Sequence, residues 1–129
     1  MKINILITGG LYDSQSAYAG LRFSQAAIAA GHTIEQIFFY QQGVSVATQL
    51  SAPLADEFDG SGEWVAFAQS HSLPLVVCVS AAERRGVLGA EQQAEHAKQT
   101  NNLHPAFSIA GLGALHQASL SSDRTVTFK

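Results

Sequence analysis

The chain has 129 residues, a formal net charge of −3 and one cysteine. That length suits one compact domain, residues 1–129, and is too short for two ordinary ones. A single cysteine excludes an internal disulfide and any CxxC or zinc-finger pattern, and an acidic balance without a basic tail or stripe speaks against direct nucleic-acid binding.

Ile3 to Thr8 reads as a first strand, short and β-branched, stopped by Gly9-Gly10. Asp13, Ser14 and Ser16 offer N-caps for a helix running to about Ala30, with Ala17, Leu21, Ser24 and Ile28 on one face. Gly31 is a natural residue to end it. Ile34 to Tyr40 is the second strand; its Ile37-Phe38-Phe39-Tyr40 run is apolar on both faces, as a sheet covered on both sides requires.

Gln41-Gln42-Gly43 makes a turn, and Val44 to Leu50 is expected as a short helix. Ser51 to Gly62 is the least regular stretch. Glu63 to Ser70 reads as helix, with Trp64, Phe67 and Ala68 on one side. Leu75 to Val79 is the third strand, followed by a short helix carrying Arg84 and Arg85. Glu91 to Lys98 is polar and helix-prone. Ala106 to Ala110 is a fourth strand, Leu112 to Ser119 a helix and Thr125 to Phe128 a closing strand. The alternation predicts a three-layer α/β/α fold with a mostly parallel five-stranded sheet.

Cys78 is the best candidate for chemistry. It lies between the end of a parallel strand and the start of a helix, where open α/β sheets bind ligands. First-turn N–H groups favour an anion, and a thiolate or a terminal persulfide sulfur is one. Free cysteine is also often a small buried hydrophobe, so an inert core role stays open. Cys78 and Arg84 have the Cys-x5-Arg spacing of cysteine-dependent phosphatases. The intervening Val79-Ser80-Ala81-Ala82-Glu83 has no glycine to let N–H groups converge on phosphate, and Glu83 would repel one. A persulfide carrier fits better: it needs no general base, and with no second cysteine its cargo must leave to another protein. Arg84 and Arg85 are candidate binding residues for the anion or a partner, or a solvated helix face.

Gly9-Gly10 lacks both GxGxxG and a Walker lysine, so a tight turn is expected; Tyr12, Asp13 and Ser14 would lie near the mouth on the same edge as Cys78. Gly111 and Gly113 are expected to permit close backbone approach. The five histidines, His32, His71, His96, His104 and His116, show no paired ligand spacing, so no metal site and no cofactor are expected. Charged residues make up only 13% of the chain, against about 25% in typical domains, which predicts surface covered by other subunits. The N-terminal apolar run is too short for a signal peptide, and no stretch approaches the ~18 apolar residues of a membrane helix, so a cytoplasmic protein is expected.

The order of these fragments resembles the DsrE family of small sulfurtransferase subunits along nearly the whole length. The resemblance rests on Thr8-Gly9, Phe38-Phe39-Tyr40 with Gly43-Val44, and Asp56-Glu57-Phe58-Asp59. It continues through Cys78-Val79 with Arg84-Arg85-Gly86-Val87, Asn102-Leu103, Gly111-Leu112-Gly113-Ala114-Leu115 and Asp123-Arg124. It implies a cytoplasmic sulfur relay that supplies the 2-thio group of wobble uridine in transfer RNA. Cys78 would take sulfur as a persulfide from a TusA-like donor and pass it to a TusE-like acceptor. TusB-like and TusC-like subunits would complete a heterohexamer, with the nucleic acid modified by a later enzyme. A DsrE-type role in dissimilatory sulfur metabolism and a non-catalytic scaffold role are the alternatives.

Overall fold

The structure, a computed structural model, describes residues 1–129. Five parallel strands lie in the order β4-β3-β2-β1-β5: β1 (Lys2–Ile7), β2 (Thr33–Phe39), β3 (Leu75–Cys78), β4 (Phe107–Ala110) and β5 (Arg124–Phe128). Parallel neighbours need crossovers, and right-handed crossovers decide the layers. From β1 to β2 to β3 the chain steps one way across the sheet, through α1 (Ser16–Ala29) and α2 (Gly60–His71). From β4 it jumps back past three strands to β5 through α5 (Leu112–Ser121), which therefore covers the opposite face. The short helices α3 (Val79–Arg84) and α4 (Ala90–Glu95) fill the path from β3 to β4. This is the expected α/β/α sandwich with five parallel strands. No helix is long and apolar enough to cross a membrane.

The main core lies on the α1/α2 face. Ile3, Ile5 and Ile7 of β1, Ile37 and Phe39 of β2 and Leu75 and Val77 of β3 are buried there. Trp64 of α2 closes on Phe39 edge-to-face at 5.4 Å between ring centroids, and Phe39 meets Phe107 at 5.6 Å. The indole of Trp64 donates to the Ala17 carbonyl at 3.0 Å, so its one polar atom is satisfied inside the core. The α5 face is thinner and more polar. Gln36 Nε2 donates to the Ala114 carbonyl at 3.3 Å, and Asn4 Nδ2 donates to Thr125 Oγ1 at 3.2 Å.

Two local expectations change. The helix expected over Val44 to Leu50 is a 3-10 segment placed earlier, Gln41–Ala47. Gln41 takes φ 52° directly after β2, and Gly43 then passes so close to β1 that a Cβ there would collide with the Ile7 carbonyl oxygen. Helix α1 starts from Gln15 without a side-chain cap. Ser16, expected as a cap, instead accepts from Gly9 N–H at 3.1 Å and donates to the Phe128 carbonyl at 2.6 Å, tying the β1 turn to β5.

Gly43→Ala is predicted to destabilise the fold by about 2 kcal/mol, because the obstructing atom is backbone and cannot swing away. Gly113→Ala, where a Cβ meets nothing within 4 Å, is predicted to be neutral or stabilising by up to about 1 kcal/mol. Urea unfolding midpoints of the two variants check both signs.

Candidate functional site

Cys78 is the last residue of β3 and the N-cap of α3, with φ −67° and ψ 125°. Parallel pairing sets it beside Ala110, the last residue of β4. Strand alternation turns it to the face of Val76 and Phe38, the one α5 covers. The chain changes face after β4, so the carboxyl ends of β3 and β4 border the switch point where open α/β sheets form a crevice. Topology therefore places the only cysteine at the edge expected from the sequence.

The thiol itself is buried, with 1% of the residue exposed. Sγ lies 3.5 Å from the hydroxyl of Ser80, which is exposed. The apolar strand supplies the burial below the sulfur, and Ala81 and Ala82 of α3, both buried, seat the helix beside it. The chain leaves α3 just past the Arg85 cap through Gly86, whose φ of 73° suits glycine.

Arg84 and Arg85 part company. Arg85 is held over the 3-10 segment: Nε donates to Gln42 Oε1 at 2.7 Å and a terminal nitrogen donates to the Ala81 carbonyl at 3.2 Å. Arg84 opens on a hollow of about 650 Å³ that Glu83, His96, Lys98 and Asn102 also line. Neither arginine makes a hydrogen bond to Cys78; the sulfur's partner is Ser80. Glu83, feared as a repulsive neighbour, is engaged by His96 at 3.3 Å. Glu95 joins these two, their ligand atoms all within 4.8 Å of one another, a grouping no sequence spacing signalled. Tyr12 and Asp13 line a separate hollow with Gln42, Ser45 and Thr48 rather than the surroundings of the sulfur. At Gly111 and Gly113 a Cβ would meet nothing within 4 Å, so their expected close backbone approach is absent.

One residue that local reasoning passed over, beyond its place in the family resemblance, organises this edge. Asn102 Oδ1 accepts from Leu88 N–H at 2.8 Å, and its Nδ2 donates to Thr48 Oγ1 and to the Gly86 carbonyl, both at 2.9 Å. Its backbone N–H and that of Leu103 donate to the Leu88 carbonyl, and its own carbonyl accepts from Gln49 N–H. One side chain thus staples the exit of α3 to the end of the 3-10 segment.

What the residues between Cys78 and Arg84 can do chemically follows from their being helix. In the six-residue α3 the N–H groups of Ala82 and Glu83 are spent on carbonyls of their own helix, and those of Val79, Ser80 and Ala81 are first-turn donors spread along a helix rather than folded round a phosphate. The arrangement instead leaves one thiol with a hydroxyl beside it and no resolving cysteine, which suits reversible attachment of an atom delivered and removed by others.

Residues 1–128 match the model of the DsrE/DsrF-like family. The chain is 45% identical over 124 residues to "Sulfurtransferase TusD" of Serratia proteamaculans, covering 96% of each. It is 44% identical over 124 residues to "Sulfurtransferase TusD homolog" of Vibrio parahaemolyticus, covering 96% of this chain and 95% of that one. The crystal structure of the ychN protein from E. coli superposes with a TM-score of 0.78 over 99% of both chains at 21% identity, a likeness of fold.

Asn102→Ala is predicted to cost about 1 kcal/mol, because it leaves the part-buried Leu88 N–H without its acceptor and removes the bonds to Thr48 and Gly86. Asn102→Asp, which keeps the acceptor for Leu88, is predicted to lose less. Chemical denaturation of the two variants reads the difference.

Proposed function

The chain belongs to the DsrE/DsrF-like family and is a sulfurtransferase, and we propose that Cys78 carries the sulfur between partner proteins as a persulfide. The observation that carries this reading is the position of the only cysteine, at the carboxyl end of β3 beside the switch point. The chemistry balances without an oxidant. The Cys78 thiolate attacks the outer sulfur of a donor persulfide; a new S–S bond forms on Cys78, the donor's S–S bond breaks, and the donor cysteine leaves as a thiolate. In the second half an acceptor thiolate attacks the outer sulfur on Cys78, and Cys78 leaves as the thiolate it was.

The names of the relatives support a place in a sulfur relay. We assign the donor to a TusA-like protein, the acceptor to a TusE-like protein, and the end use to 2-thiolation of wobble uridine in transfer RNA, in the cytoplasm. TusB-like and TusC-like subunits are the proposed neighbours in a heterohexamer. Exposed Tyr12, Tyr18, Leu50, Leu54, Leu112 and Leu120 and the low charge content support surface made for such neighbours. The exposed cation Arg84 is the proposed contact for an incoming partner. Arg85 holds α3 against Gln42.

A second reading has one observation in its favour. The 1% exposure of Cys78 suits an inert core thiol in a non-catalytic subunit. The two readings part on a single experiment. After incubation with a persulfide donor, the intact mass of the chain is predicted to rise by one sulfur atom, reversibly by reductant, and the Cys78→Ser variant is predicted to stay unchanged. No added sulfur on the wild-type chain, alone and with its partners, establishes the scaffold reading.

A further inference from the structure

We propose that Ser80 is the positioning residue of the sulfur site: its hydroxyl holds the Cys78 sulfur anion and fixes its direction. The inference rests on the carrier reading of Cys78 and adds a residue to it. Three observations carry it. Ser80 Oγ is the sulfur's hydrogen-bond partner, at 3.5 Å. Cys78 is buried while Ser80, two residues on, is exposed, so the contact links the sulfur to a residue that reaches solvent. Arg84 and Arg85, the nearby cations on the same chain segment, are turned to a hollow and to Gln42, which leaves no charged side chain in hydrogen-bond contact with the sulfur.

The chemistry of the pair is specific. Against a neutral thiol a hydroxyl is donor or acceptor with equal ease. Against a thiolate or a persulfide anion it can only donate, and a hydrogen bond to an ionised acceptor is about twice as strong as one between neutral groups. The contact therefore strengthens in the two states that react and relaxes in the neutral one. It also aims the sulfur, because a bond to Ser80 Oγ favours one side-chain direction for Cys78. Neither Val79 nor Ala81 has a side-chain group able to do this.

The test is an isosteric pair, since threonine keeps the hydroxyl and valine keeps threonine's shape without it. The full chain, Ser80→Thr, Ser80→Val and Cys78→Ser are compared in two assays: the pH profile of Cys78 alkylation by iodoacetamide, and the intact mass after inorganic polysulfide. Ser80→Thr is expected to stay within about twofold of wild type in both. Ser80→Val is expected to alkylate about three- to tenfold more slowly at pH 7, with its profile displaced to higher pH, and to load sulfur proportionately more slowly. Equal profiles for wild type and Ser80→Val, or equal changes for threonine and valine, overturn the role of Ser80 while leaving the carrier reading intact if wild type still loads. A hydroxyl-dependent alkylation profile with no loading of wild type keeps Ser80 and overturns the carrier. A wild-type Cys78 that neither alkylates nor loads overturns both.

Discussion

The handedness of the crossovers is the constraint on which this molecule depends. A right-twisted sheet accepts parallel connections of one hand, so the direction in which the chain steps decides the face each helix covers. Stepping from β1 through β2 to β3 commits α1 and α2 to one face, and the long return from β4 to β5 commits α5 to the other. The change of face leaves the ends of β3 and β4 between helices that diverge. Cys78 and Ala110 sit there as paired terminal residues. The site is thus a product of topology before it is a product of any side chain.

The two faces of the sheet have different work. Aromatic stacking of Trp64, Phe39 and Phe107 with the isoleucines of β1 makes one face a packed core that holds its shape. The α5 face holds Asn4 and Gln36, which are buried polar residues, and Thr125, Thr127 and Ser108 are exposed. Asn4 Oδ1 finds no partner within the chain. A rigid core on one side and a polar, sparsely covered side on the other suit a subunit that completes its surface with other chains.

Much of this was legible in residue order. The β-branched runs at Ile3 to Ile7 and Leu75 to Val77, the long pattern of α1, and the helix around Trp64 all appear where periodicity puts them. The position of Cys78 at a strand end was equally readable. What stayed hidden was set by contacts between distant segments. The Arg85–Gln42 bond joins residues 43 apart, and Asn102 bonds Thr48 across 54. Local propensity carries no trace of either. The early start of the 3-10 segment follows from the approach of Gly43 to the Ile7 carbonyl, again a long-range fact. The burial of the thiol depends on how α3 lies against the sheet, which a strand-then-helix pattern leaves undetermined.

Helix α3 has six residues, too few to be stable on its own, and Ala81 and Ala82 are the residues it buries. Such an element opens locally at little cost while the ladder of β3 with β2 and β4 stays closed. Exchange at sulfur needs an attacker aligned with the S–S bond, and the 1% exposure of Cys78 leaves that line narrow. Under the carrier reading, sulfur held on Cys78 would be screened from dissolved reductants by this short helix and would pass to a macromolecule that displaces it. On that reading the same two alanines would set both shielding and delivery: tighter seating would lengthen storage and slow every handover.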